Sequence, residues 1–110
     1  MSDSNQKLVA AWKTHQRGDI PAARKVYEEI AAKEPNNPNA WCYLGIALHD
    51  QRDYAGAVEA YEKAIALQPE FPIALNNLGN SLRYLGRVEE SDQRFQQAID
   101  LRPESEEHTS

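Results

Sequence analysis

The sequence feature that most constrains the fold is an internal repeat with a period of 34 residues. The stretch from Trp41 to Pro69 recurs further along the chain, and the matched pairs are Leu44 and Leu78, Gly45 and Gly79, Leu48 and Leu82, Tyr61 and Phe95, Ala64 and Ala98, Ile65 and Ile99, Leu67 and Leu101, and Pro69 and Pro103. A weaker upstream copy places Ala23, Tyr27 and Pro35 at the positions of Ala57, Tyr61 and Pro69. Repeats of this length are typical of stacked helix pairs. The sequence therefore predicts three copies of one unit, each covering its neighbour.

Within each copy, apolar residues recur at helical spacing. Ala23, Val26 and Ile30 are separated by three and four positions, which indicates a helix rather than a strand. Turn and capping signals divide the copies into helices at Gly18-Asp19, Pro35 to Pro38, Asp53, Pro69 to Pro72, and Gly86. Asp3 and Ser4 are candidate N-caps of the first helix. The prediction is an all-α chain of six helices in three antiparallel pairs.

Two glycines are predicted to lie in the middle of helices. Gly45 and Gly79 each cost about 1 kcal/mol there relative to alanine. We expect a neighbouring helix to approach closely at both sites, with Tyr61 and Phe95 filling the space between pairs. Stacking would then bury the apolar face that each pair alone leaves uncovered.

Composition excludes several classes of protein. The 110 residues suit one domain, and the formal net charge is -5 with no basic tract that would favour nucleic acid. One cysteine, Cys42, excludes an internal disulfide and fits a reducing compartment. The N-terminus is polar, and no apolar run approaches the roughly 20 residues that span a bilayer. We expect a cytoplasmic protein with no nucleic-acid partner, no membrane partner and no cofactor.

The repeat pattern itself resembles a known family. The motif W-x-x-L-G-x-x-L begins at Trp41 and is followed at fixed offsets by Ala57, Tyr61, Ala64 and Pro69. This pattern is similar to that of tetratricopeptide repeat proteins. The resemblance implies an α-solenoid of three antiparallel helix pairs that forms a right-handed superhelical arc. It also implies protein recognition as the general function.

The resemblance divides the chain into repeats. Residues 1–103 hold three copies, which span approximately 4–37, 38–71 and 72–103, and residues 104–110 form an acidic tail that we expect to be disordered. No separate C-terminal capping helix is predicted, so one side of the last helix, 88–102, needs another cover. Three explanations stay open. The chain is the N-terminal part of a longer protein, a homo-oligomer forms through helix 88–102, or a three-repeat unit stands alone.

The resemblance also supplies candidate binding residues. In this family the first helix of each pair lines the concave face, and four repeat positions make most ligand contacts. Transferred to this chain, the candidate partner-binding residues are Asn5, Leu8, Trp12, His15, Asn39, Cys42, Ile46, His49, Ile73, Asn76, Asn80 and Arg83. The surface is apolar towards the N-terminus, whereas it carries amides and a cation towards the C-terminus. Asn76 and Asn80 lie one helical turn apart and suit the backbone of an extended peptide.

Some of these residues and their neighbours could instead serve a more specific role. Trp12 either contacts a ligand or covers the N-terminal end of the stack. His15, His49 and Cys42 lack the spacing of a metal motif, so no metal site is predicted. Asn77 matches the asparagine ladder of related sugar transferases in one copy only, so a ladder is not expected.

Chaperone-binding members of the family hold a C-terminal carboxylate in a clamp of lysine and asparagine. Leu8 and Trp12 stand at the clamp positions of the first copy. We therefore expect no binding to chaperone tails that end in acidic residues. The expected function is a non-catalytic scaffold that binds a peptide or helix segment of another protein. The alternative is the N-terminal regulatory or substrate-docking part of a larger enzyme such as a transferase.

Overall fold

The computed structural model describes residues 2–101 as six α-helices. The helices are α1 (Ser2–Gln16), α2 (Ile20–Lys33), α3 (Pro38–Asp50), α4 (Tyr54–Leu67), α5 (Pro72–Tyr84) and α6 (Val88–Asp100). The described residues contain no β-strand. The predicted all-α class is confirmed.

Each helix packs mainly against the helices next to it in sequence. In addition, α1 contacts α3, and α3 contacts α5. The first helices of the three pairs therefore lie side by side along one face, and the second helices lie behind them. The described part measures 40 × 31 × 26 Å. This arrangement is the solenoid that the repeat predicted.

Side-chain caps from the local sequence mark the starts of α2, α3 and α4. The carboxylate of Asp19 accepts a hydrogen bond from the backbone N–H of Ala22 at 3.3 Å, and that of Asp53 accepts from Gly56 at 3.0 Å. The side chain of Asn37 caps α3 in the same way. Each acceptor satisfies an N–H group that has no partner within the helix.

The first helix begins earlier than the capping signals suggest. Because α1 starts at Ser2, Asp3 and Ser4 lie inside its first turn and are not its N-caps. The Ser4 hydroxyl instead donates a hydrogen bond to the carboxylate of Glu34 at the end of α2. This bond ties together the two helices of the first pair.

The three turns within pairs share one backbone feature. Gly18 and Gly86 adopt positive φ angles of 103° and 82°, and Arg52, at the equivalent position of the second repeat, has a φ of 69°. Glycine adopts this left-handed conformation freely, whereas a residue with a side chain is strained there. The middle turn therefore stores strain that the other two avoid.

The mid-helix glycines admit aromatic rings from their own pair. A Cβ atom added to Gly45 would lie 2.5 Å from the nearest atom of the Tyr61 ring, and one added to Gly79 would lie 2.7 Å from the Phe95 ring. The neighbouring helix that approaches each of these glycines closely is thus the second helix of its own pair. Tyr61 is fully buried, while Phe95 is only partly buried.

Candidate functional site

A hollow of about 520 Å³ lies on the inner face, between the first helices of the three pairs. Its lining comes from α1, from α3, and from the start of α5. The lining residues are Asn5, Leu8, Val9, Trp12, Asn39, Cys42, Tyr43, Ile46, Phe71 and Ile73. Apart from two asparagines, the side chains are aliphatic, aromatic or sulfur-bearing. None of them carries a formal charge.

The hollow has a buried floor and an exposed rim. Leu8 and Cys42 form the floor and are 2 % and 5 % exposed. Trp12 and Ile46 are partly buried. Ile73, on the rim, is 62 % exposed although it is aliphatic. A side chain that entered the hollow would cover apolar surface that now faces water.

Aromatic stacking fixes one wall of the hollow. The Trp12 and Tyr43 ring centroids are 5.7 Å apart, and Tyr43 stacks on Tyr27 at 5.3 Å with an interplanar angle of 16°. Tyr27 is fully buried between the first two pairs. Because Trp12 rests on a stack that continues into the core, it belongs both to the wall and to the joint between pairs.

Cys42 is an apolar part of the floor rather than a reactive group. Burial raises the pKa of its thiol to about 12. The neutral thiol is neither a strong nucleophile nor a metal ligand, because both roles need the thiolate. Among the described residues, no three His, Cys, Asp or Glu side chains are grouped as metal ligands.

His15 lies inside the joint between the first and second pairs. Its Nε2 atom is 2.7 Å from a carboxylate oxygen of Asp50, and its Nδ1 atom is 3.4 Å from the hydroxyl of Tyr27. The side chain is buried. In this structure His15 holds α1, α2 and α3 together and does not reach the surface of the hollow.

His49, the equivalent residue of the second repeat, holds the next joint. Its Nδ1 atom is 2.8 Å from the Ser81 hydroxyl, and its ring meets those of Tyr54 and Tyr84 edge-on at 5.0 and 5.3 Å. It also lines a smaller hollow of about 150 Å³, which is formed by Ile46, His49, Asp50, Tyr61, Asn77 and Asn80. The two histidines therefore occupy different joints.

The predicted site residues divide into four groups by location. Those that line the main hollow are Asn5, Leu8, Trp12, Asn39, Cys42, Ile46 and Ile73, and Ile46 also lines the smaller hollow. His49 and Asn80 line the smaller hollow, while Asn76 and Arg83 are exposed outside both. His15 is enclosed in the first joint.

Three residues of the main hollow were not among the predicted contacts, and these are Val9, Tyr43 and Phe71. Val9 and Tyr43 occupy one repeat position, whose side chain turns towards the preceding pair. Phe71 is the N-cap residue of α5 and stands between Glu70 and Pro72. An aromatic residue in an otherwise polar linker was the available signal, because a loop residue of that size usually packs against something.

The fold and the main hollow define a class of protein: an α-helical repeat protein whose inner face carries an uncharged hollow. A tetratricopeptide repeat profile matches residues 16–72, and a second tetratricopeptide repeat profile matches residues 60–93. The chain belongs to the tetratricopeptide repeat family. No curated protein sequence matches the chain significantly.

Solved structures with the same fold belong to proteins of several kinds. The second tetratricopeptide repeat domain of Spaghetti (RPAP3), bound to the HSP90 peptide SRMEEVD, is 19 % identical with a TM-score of 0.85, covering 89 % of this chain and 91 % of that one. The Yersinia enterocolitica type III secretion translocator chaperone SycD is 20 % identical with a TM-score of 0.87, covering 99 % and 85 %. At these identities the likeness shows the fold alone.

A third structure is an O-GlcNAc transferase mutant from Thermobaculum terrenum. It is 27 % identical to this chain, with a TM-score of 0.87 over 93 % of the chain. The match spans 20 % of the length of that enzyme.

Within the described residues, no helix is both long enough and apolar enough to cross a membrane.

Proposed function

We propose that the chain is a non-catalytic scaffold that holds a segment of a partner protein against its inner face. The observation that carries this proposal is the uncharged, largely apolar hollow between α1, α3 and α5. The aromatic stack behind Trp12 fixes the wall before any partner arrives. A preformed surface favours binding because only the incoming segment has to be ordered. The reducing compartment suggested by the single cysteine is consistent with a cytoplasmic location.

The lining specifies the chemistry of the partner segment. Aliphatic and aromatic walls favour a segment that presents apolar side chains, and the amides of Asn5 and Asn39 can satisfy its backbone. No charged group in the lining could pair with a carboxylate. The segment is therefore a peptide or helix with apolar anchors rather than an acidic C-terminal tail.

A peptide library displayed on phage tests the proposal. Peptides selected on the immobilised 110-residue protein should be enriched in aliphatic and aromatic residues, and fluorescence anisotropy then gives their dissociation constants. Ile73→Asp should weaken binding by at least about tenfold, because burying an isoleucine side chain contributes about 1.5–3 kcal/mol. Ile73 is largely exposed, so this variant should still fold.

Leu67→Asp is the matched control. Leu67 is a partly exposed aliphatic residue at the end of α4, outside the hollow, and its replacement should leave the affinity unchanged. Equal affinities of the wild type and Ile73→Asp would contradict the proposal. A triple variant at Asn76, Asn80 and Arg83 tests separately whether the segment extends along α5. The heptapeptide SRMEEVD should not bind, and saturable binding in the micromolar range would refute the proposed preference.

A second candidate function is a docking part of a larger enzyme. It is favoured by the likeness to the Thermobaculum terrenum transferase, in which the matching stretch is a fifth of the whole. The gene decides between the two: a catalytic domain encoded beyond Ser110 would favour docking, and its absence would favour the free scaffold. The same hollow would serve as the contact surface in both cases.

A further inference from the structure

The second helix of each pair has an outer face, and in α6 this face is exposed. Tyr54 and Ile65 of α4 are partly buried beside α5, whereas their equivalents in α6, Val88 and Ile99, are 54 % and 50 % exposed. Val58 of α4 is buried, and its equivalent Asp92 is exposed. The α6 outer face, defined by Val88, Asp92, Phe95 and Ile99, is thus the counterpart of a surface that is covered elsewhere in the stack.

At the opposite end of the stack, α1 has an exposed face whose equivalents in α3 and α5 are buried. The residues of α3 and α5 that face the preceding pair include Ala40, Ala47, Ala74 and Ser81, and all are buried. Their equivalents in α1, together with neighbouring positions, are exposed: Gln6, Val9, Ala10, Lys13 and Arg17. These five residues define the α1 outer face. Val9 is 52 % exposed although it is aliphatic.

We propose that copies of this chain associate head to tail, with the α1 outer face of one copy on the α6 outer face of the next. Such an interface would continue the joint that already connects successive pairs within the chain. The occupant is a second copy because the repeat supplies both halves of the joint in one molecule.

Contacts within the chain set the register of the proposed interface. Arg24 donates a hydrogen bond to Gln51 across the first joint at 2.8 Å. The equivalent residues across the second joint are the apolar pair Val58 and Leu85. One repeat further, Asp92 of one copy meets Arg17 of the next, an acid opposite a base.

A second register position is apolar. Tyr27 stacks on Tyr43 across the first joint, and Tyr61 and Asn77 line one hollow at the second. One repeat further, Phe95 meets Val9 of the next copy. Both side chains leave water in this arrangement.

Charge distinguishes head-to-tail stacking from pairing of two α6 faces. α1 and its following turn carry three bases, Lys7, Lys13 and Arg17, against one acid, Asp3, whereas α6 carries four acids, Glu89, Glu90, Asp92 and Asp100, against one base, Arg94. Head-to-tail contact therefore brings opposite charges together, while two α6 faces would place acids beside acids. Gln6 and Lys13 stand where α3 has the small buried residues Ala40 and Ala47, so this contact packs less closely than a joint within the chain. We therefore expect the association to be weak, reversible and sensitive to salt.

Sedimentation of the full 110-residue protein over a concentration series tests the proposal. The average mass should rise with concentration and pass beyond two chains, because a head-to-tail interface does not close on itself in a dimer. Arg17→Asp and Asp92→Arg alone should each weaken association by about fivefold, the scale of an exposed ion pair replaced by repulsion. The double variant, and an equimolar mixture of the two single variants, should restore it.

Controls keep the outcome specific. Glu59→Arg makes a comparable charge change on an exposed residue of α4 outside both faces, and it should leave association unchanged. Val9→Ser should weaken association, although Val9 lies far from α6 in its own chain. A protein that stays at the mass of one chain at every concentration overturns the proposal. So does a plateau at two chains that Arg17→Asp does not alter.

Discussion

Replacing Arg52 with glycine should stabilise the protein. Arg52 has a φ of 69°, in the region where a Cβ atom crowds the following carbonyl group. The equivalent positions of the other repeats, Gly18 and Gly86, have the same hand of backbone and no side chain. The Arg52 side chain is exposed and makes no hydrogen bond or ion pair with the residues that the structure describes. Its removal therefore sacrifices little.

The size of the effect follows from two opposing contributions. Relief of the left-handed conformation is worth about 1–2 kcal/mol. The extra freedom of glycine in the unfolded chain costs about 0.5–1 kcal/mol. The free energy of unfolding should thus rise by about 0.5–1 kcal/mol, which in a domain of this size moves Tm upwards by about 2–5 °C.

Urea denaturation followed by circular dichroism measures the change. The midpoint should rise while the slope stays constant, because the surface exposed on unfolding is unchanged. Gly86→Ala is the reciprocal control. A Cβ atom added there meets no atom within 4 Å, so its cost of about 1 kcal/mol would arise from the backbone alone.

An unchanged or lowered midpoint for Arg52→Gly would contradict the strain assigned to Arg52. A Gly86→Ala variant as stable as the wild type would contradict it equally. Either result would mean that the turns within pairs do not hold the left-handed conformation in solution.

Three further predictions concern single positions in the second repeat. Gly45→Ala should destabilise the protein by about 1–2 kcal/mol in urea denaturation, because an added Cβ would lie within 3 Å of three atoms of the Tyr61 ring, and overpacking outweighs the gain in helix propensity. Asp53→Ala should cost about 1 kcal/mol by thermal denaturation, since the Gly56 N–H loses its acceptor, and Asp53→Asn should retain most of the stability. The raised pKa of Cys42 predicts that the free energy of unfolding falls as the pH rises above about 9. The reason is that the unfolded chain releases the thiol proton there, whereas the folded chain retains it. Cys42→Ala should therefore reduce the dependence of the free energy of unfolding on pH between about pH 9 and 10.

Features encoded over a few residues were predictable from the sequence. The caps at Asp19, Asn37 and Asp53 depend on the helix that follows each of them, and the turns at Gly18 and Gly86 need only a residue that tolerates positive φ. The strained turn at Arg52 was not predicted, because arginine itself does not indicate a left-handed conformation. Only its place in the repeat, level with the two glycines, carried that information.

The inner face was predicted in outline, but not which side chains reach it. Repeat position placed His15 and Leu8 on one surface, yet Asp50, 35 residues away in sequence, draws His15 into the joint between pairs. A contact of that kind depends on how one pair settles on the next, and a single copy of the repeat does not contain it. The positions of the helices were predictable from the periodicity of the sequence. The burial of each side chain was not, because it depends on residues that are close in space but distant in sequence.

The aromatic stack that runs from Trp12 through Tyr43 to Tyr27 connects the main hollow to the joint between the first two pairs. Because Trp12 belongs to both, a ligand that rests on it contacts a ring that packing between the first two pairs already holds in place.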